Sequence, residues 1–367
     1  MQHSIMIKPL RKYKIALIGD CLANGGAEKV HALLSVYFQN EGLEVHNCVF
    51  ADWVQYKYSG SLLNLGKMNT DSNIIKRKFT RFFKLRRFIK ENNFDAVIDF
   101  RIRNNSWQEL LISKFCYPNN AYYTVHSGIL SYYFPKFSKL IYKNKSTVAV
   151  SIAIQEAIVS KRLAKSAFQI YNPIDLQSIS VLKDDYTISE GNYILAVGRM
   201  NDDVKQFDQL IQAYSKSGLH NKNVKLIFLG YGHKLTEYKT LAEALGLENL
   251  VTFKGFLENP FPYYQNALFT VLSSKNEGFP NVILESFAVG TPVVSFDCFS
   301  GPNEIIKNKQ NGLLVENQNF DQLSDMLNLF FENVELREHC KQNTKATIKS
   351  FDVETIGKLW LELLKIK

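Results

Sequence analysis

Tyr193-Ile194-Leu195-Ala196-Val197-Gly198 restarts a pattern that the chain first writes at Lys14-Ile15-Ala16-Leu17-Ile18-Gly19. Each is a short apolar run that ends in glycine, and each reads as a buried strand. After the first comes a helical pattern from Ala27 through Phe38, stopped by Asn40-Glu41-Gly42. Strand-like runs then recur at Val45–Phe50, Ala96–Phe100, Ala121–Val125 and Val148–Val150, with helical stretches between them. After the second, the same alternation continues through Val224–Leu229, Val251–Phe253, Leu268–Leu272 and Pro292–Phe296. Strands that alternate with helices argue for a parallel sheet, and an alternation that begins twice argues for two. The expected fold class is therefore α/β, with two Rossmann-like doubly wound domains facing a central cleft. The polar stretch from Asn172-Pro173-Ile174-Asp175 to Asn192 sets the boundary, giving domains over residues 1–175 and 176–351. Residues 352–367 carry a last amphipathic helix, with Ile356, Leu359, Trp360 and Leu363 on one face, expected to fold back on the N-terminal domain.

Composition narrows the classes. A chain of 367 residues exceeds one ordinary core. No apolar run reaches the ~20 residues of a membrane span, and the first dozen residues lack the pattern of a secretory signal. The five cysteines are odd in number and form no C-x-x-C pair, so reduced thiols in the cytoplasm are expected, without a disulfide framework or zinc site. Net charge is divided unevenly: residues 1–180 hold 25 Lys+Arg against 12 Asp+Glu, and the remainder 19 against 23. Halves of opposite sign suggest different partners.

The chemistry gathers where strands end. Asn276-Glu277-Gly278-Phe279-Pro280-Asn281-Val282-Ile283-Leu284-Glu285 comes after a strand, places Glu277 in a loop and Glu285 early in a short helix, and is stopped by Gly290. Carboxylates accept from hydroxyls, and the free amides of a helix start favour anionic oxygen, which together suit a sugar on a pyrophosphate. Arg199 closes a strand, with Lys205 six residues later, and two such cations can neutralise a diphosphate. Gly25-Gly26 opens a helix directly after a strand, so backbone there can approach a phosphate. Gly230-Tyr231-Gly232, Gly255-Phe256 and His126 also stand at strand ends.

Taken in order, Gly25-Gly26-Ala27-Glu28, His126, Asn172-Pro173-Ile174-Asp175, Gly198-Arg199 with Lys205, the Glu277–Glu285 motif and Ser300-Gly301-Pro302-Asn303-Glu304 resemble a retaining family 4 glycosyltransferase of the GT-B fold over nearly the whole chain. The resemblance implies catalytic roles for Glu277, His126, Arg199 and Lys205. It also implies donor contacts from Gly25, Gly26, Gly230, Gly255, Phe256, Gly278, Phe279, Asn281 and Glu285, with Glu285 on the ribose and the Gly255 turn on the uracil edge. Two departures stand out: the family usually writes Lys-Gly or Lys-Asn where Lys205-Gln206 stands, and often Asp where Tyr231 stands.

The activity implied by the resemblance is transfer of a hexose or N-acetylhexosamine from a nucleotide sugar, most often UDP-linked, with retention. The chain has no Asp-x-Asp, so neither a metal nor another cofactor is expected. Lys76 to Lys90 holds eight cations and no acid, with Ile75, Phe79, Phe82, Phe83 and Ile89 at helical spacing. With residues 132–145 it suggests an anionic membrane surface, reached from the cytoplasmic side, and a glycan acceptor on polyprenyl diphosphate or another lipid. Nucleic acid is not expected as a partner. Three other readings compete. A glycoside hydrolase would share the paired carboxylates but not the phosphate-binding cations. A GT-B-type epimerase would need no acceptor. A non-catalytic anionic-surface binding module would keep its activity without Glu277.

Overall fold

The computed structural model describes residues 12–68 and 73–366. The first sheet comprises β1 (Lys14–Gly19), β2 (Glu44–Val49), β3 (Ser61–Asn64), β4 (Ala96–Asp99), β5 (Ala121–Val125), β6 (Ser146–Ala149) and β7 (Ser166–Gln169). Its spatial order is β3-β2-β1-β4-β5-β6-β7. The second comprises β8 (Tyr193–Val197), β9 (Lys225–Leu229), β10 (Val251–Phe253), β11 (Thr270–Leu272), β12 (Val293–Asp297) and β13 (Gly312–Glu316), in the order β10-β9-β8-β11-β12-β13. Every pairing within both sheets is parallel. The two doubly wound domains expected from the repeated alternation are both present.

Helices cover both faces, so the central strands are apolar throughout: Ile15, Ala16, Leu17 and Ile18 are fully buried. Each large side chain of that kind contributes about 1.5–3 kcal/mol by leaving water. Among the helices of the N-terminal domain are α1 (Gly26–Asn40), α2 (Ile74–Asn92), α3 (Ser106–Phe115) and α4 (Ser138–Ile141). Asn73 caps α2 by accepting from the amides of Ile75 and Lys76. The apolar residues of α2 that recur at helical spacing divide between core and solvent. Leu85 and Ile89 are buried and Phe82 packs on the core, whereas Ile75, Phe79 and Phe83 are exposed. Within 132–134, Tyr133 and Phe134 also turn inward.

The chain crosses between domains twice, side by side. Ile174 donates its amide to Phe351 O at 2.9 Å, and Val353 donates to Ile174 O at 2.8 Å. The helix Val353–Leu364 then lies against α1, where Ile356 and Trp360 join the cluster of Ile15, Leu17, Leu34 and Phe38. Gly357 permits that approach, because a Cβ there would meet the Tyr37 ring at 2.2 Å. Leu359, expected on the packed face, is instead 41% exposed.

Both sheets share one topology, so each has its switch point between its first and fourth strands in chain order. That is where ligands bind in open α/β sheets. In the first sheet the switch lies between β1 and β4, and in the second between β8 and β11. Arg199 comes after β8 and Glu277 after β11, which is why residues 78 positions apart reach one place.

Candidate active site

A cavity of about 400 Å³ opens between the two switch points. Its walls include Gly25, Gly26 and His126 from the N-terminal domain, and Arg199, Lys205, Gly230, Phe256, Glu277, Gly278, Phe279, Asn281 and Glu285 from the other. Arg199 and Glu277 thus share one cavity. Gly255 does not line it. It stands behind the wall, where its carbonyl accepts from the Gly230 amide at 2.7 Å.

Each carboxylate is held by a lysine. Lys205 Nζ lies 2.6 Å from Glu277 Oε1, and Lys29 Nζ reaches across the cleft from α1 to Glu285 Oε1 at 2.5 Å. Tyr264 donates to the other oxygen of Glu285 at 2.8 Å, so that carboxylate is oriented from two sides. Lys205 is held in turn: its backbone carbonyl accepts from the Ser273 hydroxyl at 2.7 Å.

The two glycine signals have separate causes. At Gly230 φ is +126°, and a Cβ would lie 2.0 Å from Gly198 O, so the Gly-x-Gly turn lets its backbone rest on the Arg199 loop. At Gly278 a Cβ would meet His126 O at 2.1 Å, so that glycine lets the two domains approach. Further bonds cross the same seam. Gly128 donates to Glu277 O at 3.1 Å, and the Asn172 amide donates to Phe279 O at 3.0 Å and to Asn281 Oδ1 at 2.9 Å.

The departures from the family pattern have local explanations. Gln206 adopts φ +50°, a left-handed conformation that suits the Gly or Asn usual there. Tyr231 meets Phe256 edge-on with ring centroids 6.0 Å apart, so an aromatic pair stands on the wall where related chains often place an acid.

His126 lines the cavity as a neutral imidazole, since burial and then the Arg103 guanidinium push its pKa down to about 3. Its two ring nitrogens lack a protein partner of hydrogen-bond geometry, as does the neighbouring Asn172 Oδ1. A ligand hydroxyl could satisfy these atoms. On the far side of Phe100, His31 stacks at 5.0 Å, and burial lowers its pKa to about 4. Both histidines stay neutral in the fold where an unfolded chain would take up protons, so stability is lost as pH falls from about 6.5 toward 4 and below. Asp20 and Glu28, raised chiefly by burial, work in the opposite direction. The expected result is that His31→Gln/His126→Gln removes a drop in thermal midpoint of about 5–10 °C between pH 7 and pH 5. Parallel midpoint-versus-pH curves for parent and variant would contradict this.

Several participants were not singled out in the sequence. Lys29 carries no signal, because its partner lies 256 residues away. Glu28 was visible within Gly-Gly-Ala-Glu, and its carboxyl lies over Gly25 at the start of α1, where a Cβ would meet it at 1.9 Å. Behind the cavity, Arg101 is paired with Asp99 at 2.7 Å and Glu109 at 3.1 Å, and Arg103 donates to Thr124 O at 2.7 Å. This buried network fixes the loop after β4, and its signal was the charged run Asp99-Phe100-Arg101-Ile102-Arg103. Among the described residues, no group of three His, Cys, Asp or Glu side chains comes together as a metal site would require, and the five cysteines are free thiols.

Residues 180–347 match the family described as Glycosyl transferases group 1. Over 96% of its length the chain is 28% identical to an N-acetylgalactosamine-N,N'-diacetylbacillosaminyl-diphospho-undecaprenol 4-alpha-N-acetylgalactosaminyltransferase of Campylobacter jejuni, covering 99% of that protein. A second Campylobacter jejuni enzyme, an alpha-1,4-N-acetyl-D-galactosaminyltransferase acting on GalNAc-alpha-(1->4)-GalNAc-alpha-(1->3)-diNAcBac-PP-undecaprenol, is 25% identical over 96% of this chain and 98% of its own. Among solved structures, Anabaena HepE in complex with UDP and glucose superposes with a TM-score of 0.76 at 20% identity, covering 96% of this chain and 99% of the other. The match to the group 1 glycosyl transferases thus covers residues 180–347, and the two facing Rossmann-like domains of the chain form the GT-B fold.

Proposed function

We propose that the protein is a retaining, metal-independent glycosyltransferase. It moves a hexose or N-acetylhexosamine from a UDP-sugar to a hydroxyl of a glycan carried on polyprenyl diphosphate, at the cytoplasmic side of a membrane. One observation carries this reading: Arg199, Lys205, Glu277 and Glu285 meet in one cavity opposite Gly25-Gly26, with cations and carboxylates from the switch point of one sheet. A cavity built only to hydrolyse a glycan would have no use for two cations and a glycine-opened helix start. The acceptor class is supported by the Campylobacter jejuni relatives, whose names specify undecaprenyl-diphosphate-linked glycans.

In this reading the ribose diol binds Glu285, and a sugar hydroxyl binds Glu277. As the bond from the anomeric carbon to the β-phosphate oxygen breaks, negative charge grows on the diphosphate. Arg199, Lys205 and the start of α1 stabilise that charge. Neutral His126 orients the sugar by hydrogen bonding. The acceptor hydroxyl attacks from the face the diphosphate leaves, and its proton passes to the departing phosphate oxygen, so configuration is kept.

A thermal-shift panel of UDP-, GDP- and ADP-sugars tests the donor. At ligand one hundred times its Kd, binding should stabilise the fold by about 2.7 kcal/mol. UDP-sugars are expected to raise the midpoint, and Glu285→Ala to abolish the rise. A shift with GDP- or ADP-sugars alone would overturn the UDP assignment, and turnover that EDTA abolishes and Mn²⁺ restores would overturn metal independence.

A further inference from the structure

Three helices of the N-terminal domain turn apolar side chains outward. On α3, Trp107, Leu111 and Phe115 recur every fourth residue and are 70%, 44% and 46% exposed. The opposite face of the same helix is the packed one, with Glu109, Ile112 and Ser113 buried. The outward stripe is therefore additional to the face that holds the helix in place. Phe137 and Leu140, at and within α4, extend the stripe, and the Phe137 ring meets Trp107 at 6.2 Å. On α2, Phe79 and Phe83 are exposed in the same way, and the end of α3 touches that helix where Cys116 Sγ approaches Phe82 O. An apolar surface of this extent marks an interaction site.

Charge identifies the partner. Lys76 to Lys90 holds eight cations and no acid, and between Glu109 and Glu156 the chain has five lysines and no acid. Of the acids bordering these runs, Glu91 pairs with Arg87 and Glu109 is buried against Arg101, while Glu156 is exposed at the far end of the second run. Apolar side chains with an exposed tryptophan, ringed by lysines and arginines that can extend past them, fit an interface of acyl chains beneath anionic headgroups. The segments that lead into α3 and α4 also line the cavity. Ile102 and Tyr132 line its mouth while 47% and 42% exposed, and Arg103 beside Ile102 donates its amide to Tyr132 O at 2.7 Å.

We infer that the face formed by α2, α3 and α4 docks on an anionic lipid bilayer. The Trp107-Leu111-Phe137-Leu140 stripe enters the interface, the α2 cations rest on headgroups, and the cavity mouth opens toward the leaflet. The inference stands on this surface and does not require the donor assignment.

Co-sedimentation of the full chain with phosphatidylcholine vesicles, with and without phosphatidylglycerol, tests it. Binding is expected only with phosphatidylglycerol, and should weaken as salt is added. Tryptophan emission should shift to the blue on binding, and Trp107→Phe should bind while losing that shift. Leu111→Asp/Phe137→Asp should bind at least about tenfold more weakly, with its UDP-induced thermal shift intact, which shows that the fold and cavity survive. Parent protein left in the supernatant, or a double variant that binds like the parent, would overturn the proposal. So would light scattering that shows a dimer which the double variant dissolves, since the face would then belong to a second copy. A missing UDP shift in the parent would count against the donor reading and leave this one standing.

Discussion

Glu277→Ala is expected to lower kcat by about 10²–10³ while leaving the protein folded and still stabilised by UDP. The side chain sets the position of Lys205, 2.6 Å away, and offers the cavity an acceptor for a sugar hydroxyl. Its backbone role is separate, because the Glu277 carbonyl accepts from Gly128 across the domain seam whatever the side chain is. Loss should therefore fall on kcat more than on binding of the nucleotide. Glu277→Gln keeps a hydrogen-bonding oxygen but releases Lys205 from its ion pair, and should lie between alanine and parent. Initial rates with a UDP-sugar and a glycan acceptor measure this, and a Glu277→Ala variant with nearly parental kcat would remove Glu277 from the chemistry.

Arg199→Ala should cost a comparable amount, about 3–4 kcal/mol in kcat/KM, or roughly 10²–10³. Arg199 stands at the end of β8, lines the cavity, and lies near enough to the opposite wall to stabilise the charged forms of Glu28 and Cys21. It is thus placed to meet a diphosphate lying between the two domains. Lysine at this position restores a charge without the planar fork, so Arg199→Lys should recover part of the loss. The same kinetics decide the matter: equal kcat/KM for Arg199→Ala and parent would leave the leaving group without its main counter-charge.

The central strands were legible because strands buried on both faces write continuous apolar runs. The three that were not singled out, β3, β7 and β13, are edge strands of their sheets. Ser61–Asn64 and Ser166–Gln169 are partly exposed along their length, so neither needs an apolar run. On α2 the spacing of phenylalanines gave the helix but not its orientation. Phe79 and Phe83 resemble Phe82 and Phe88 in sequence, and only the fold decides which pair is covered: Phe82 and Phe88 pack on the core, with the Phe88 ring 5.1 Å from Phe94. The α3 stripe is not legible in the sequence because its inner face carries Glu109 and Ser113 while its outer face carries Trp107 and Leu111, the reverse of an ordinary surface helix. In the cavity, residues within recognisable motifs are legible in the sequence, and those whose meaning depends on a distant partner are not. Lys29 and Tyr264 gain their significance only from Glu285, in the other domain and 21 residues away respectively.

The direct test of glycosyl transfer in this cleft is the anomeric configuration of the product. Purified protein is incubated with an α-linked UDP-hexose or UDP-N-acetylhexosamine and a polyprenyl-diphosphate-linked glycan, UDP release is monitored, and the new linkage is read by proton NMR. The expected result is acceptor-dependent UDP release with an α-linked product. A β-linked product, or sugar released equally fast without any acceptor, would contradict it.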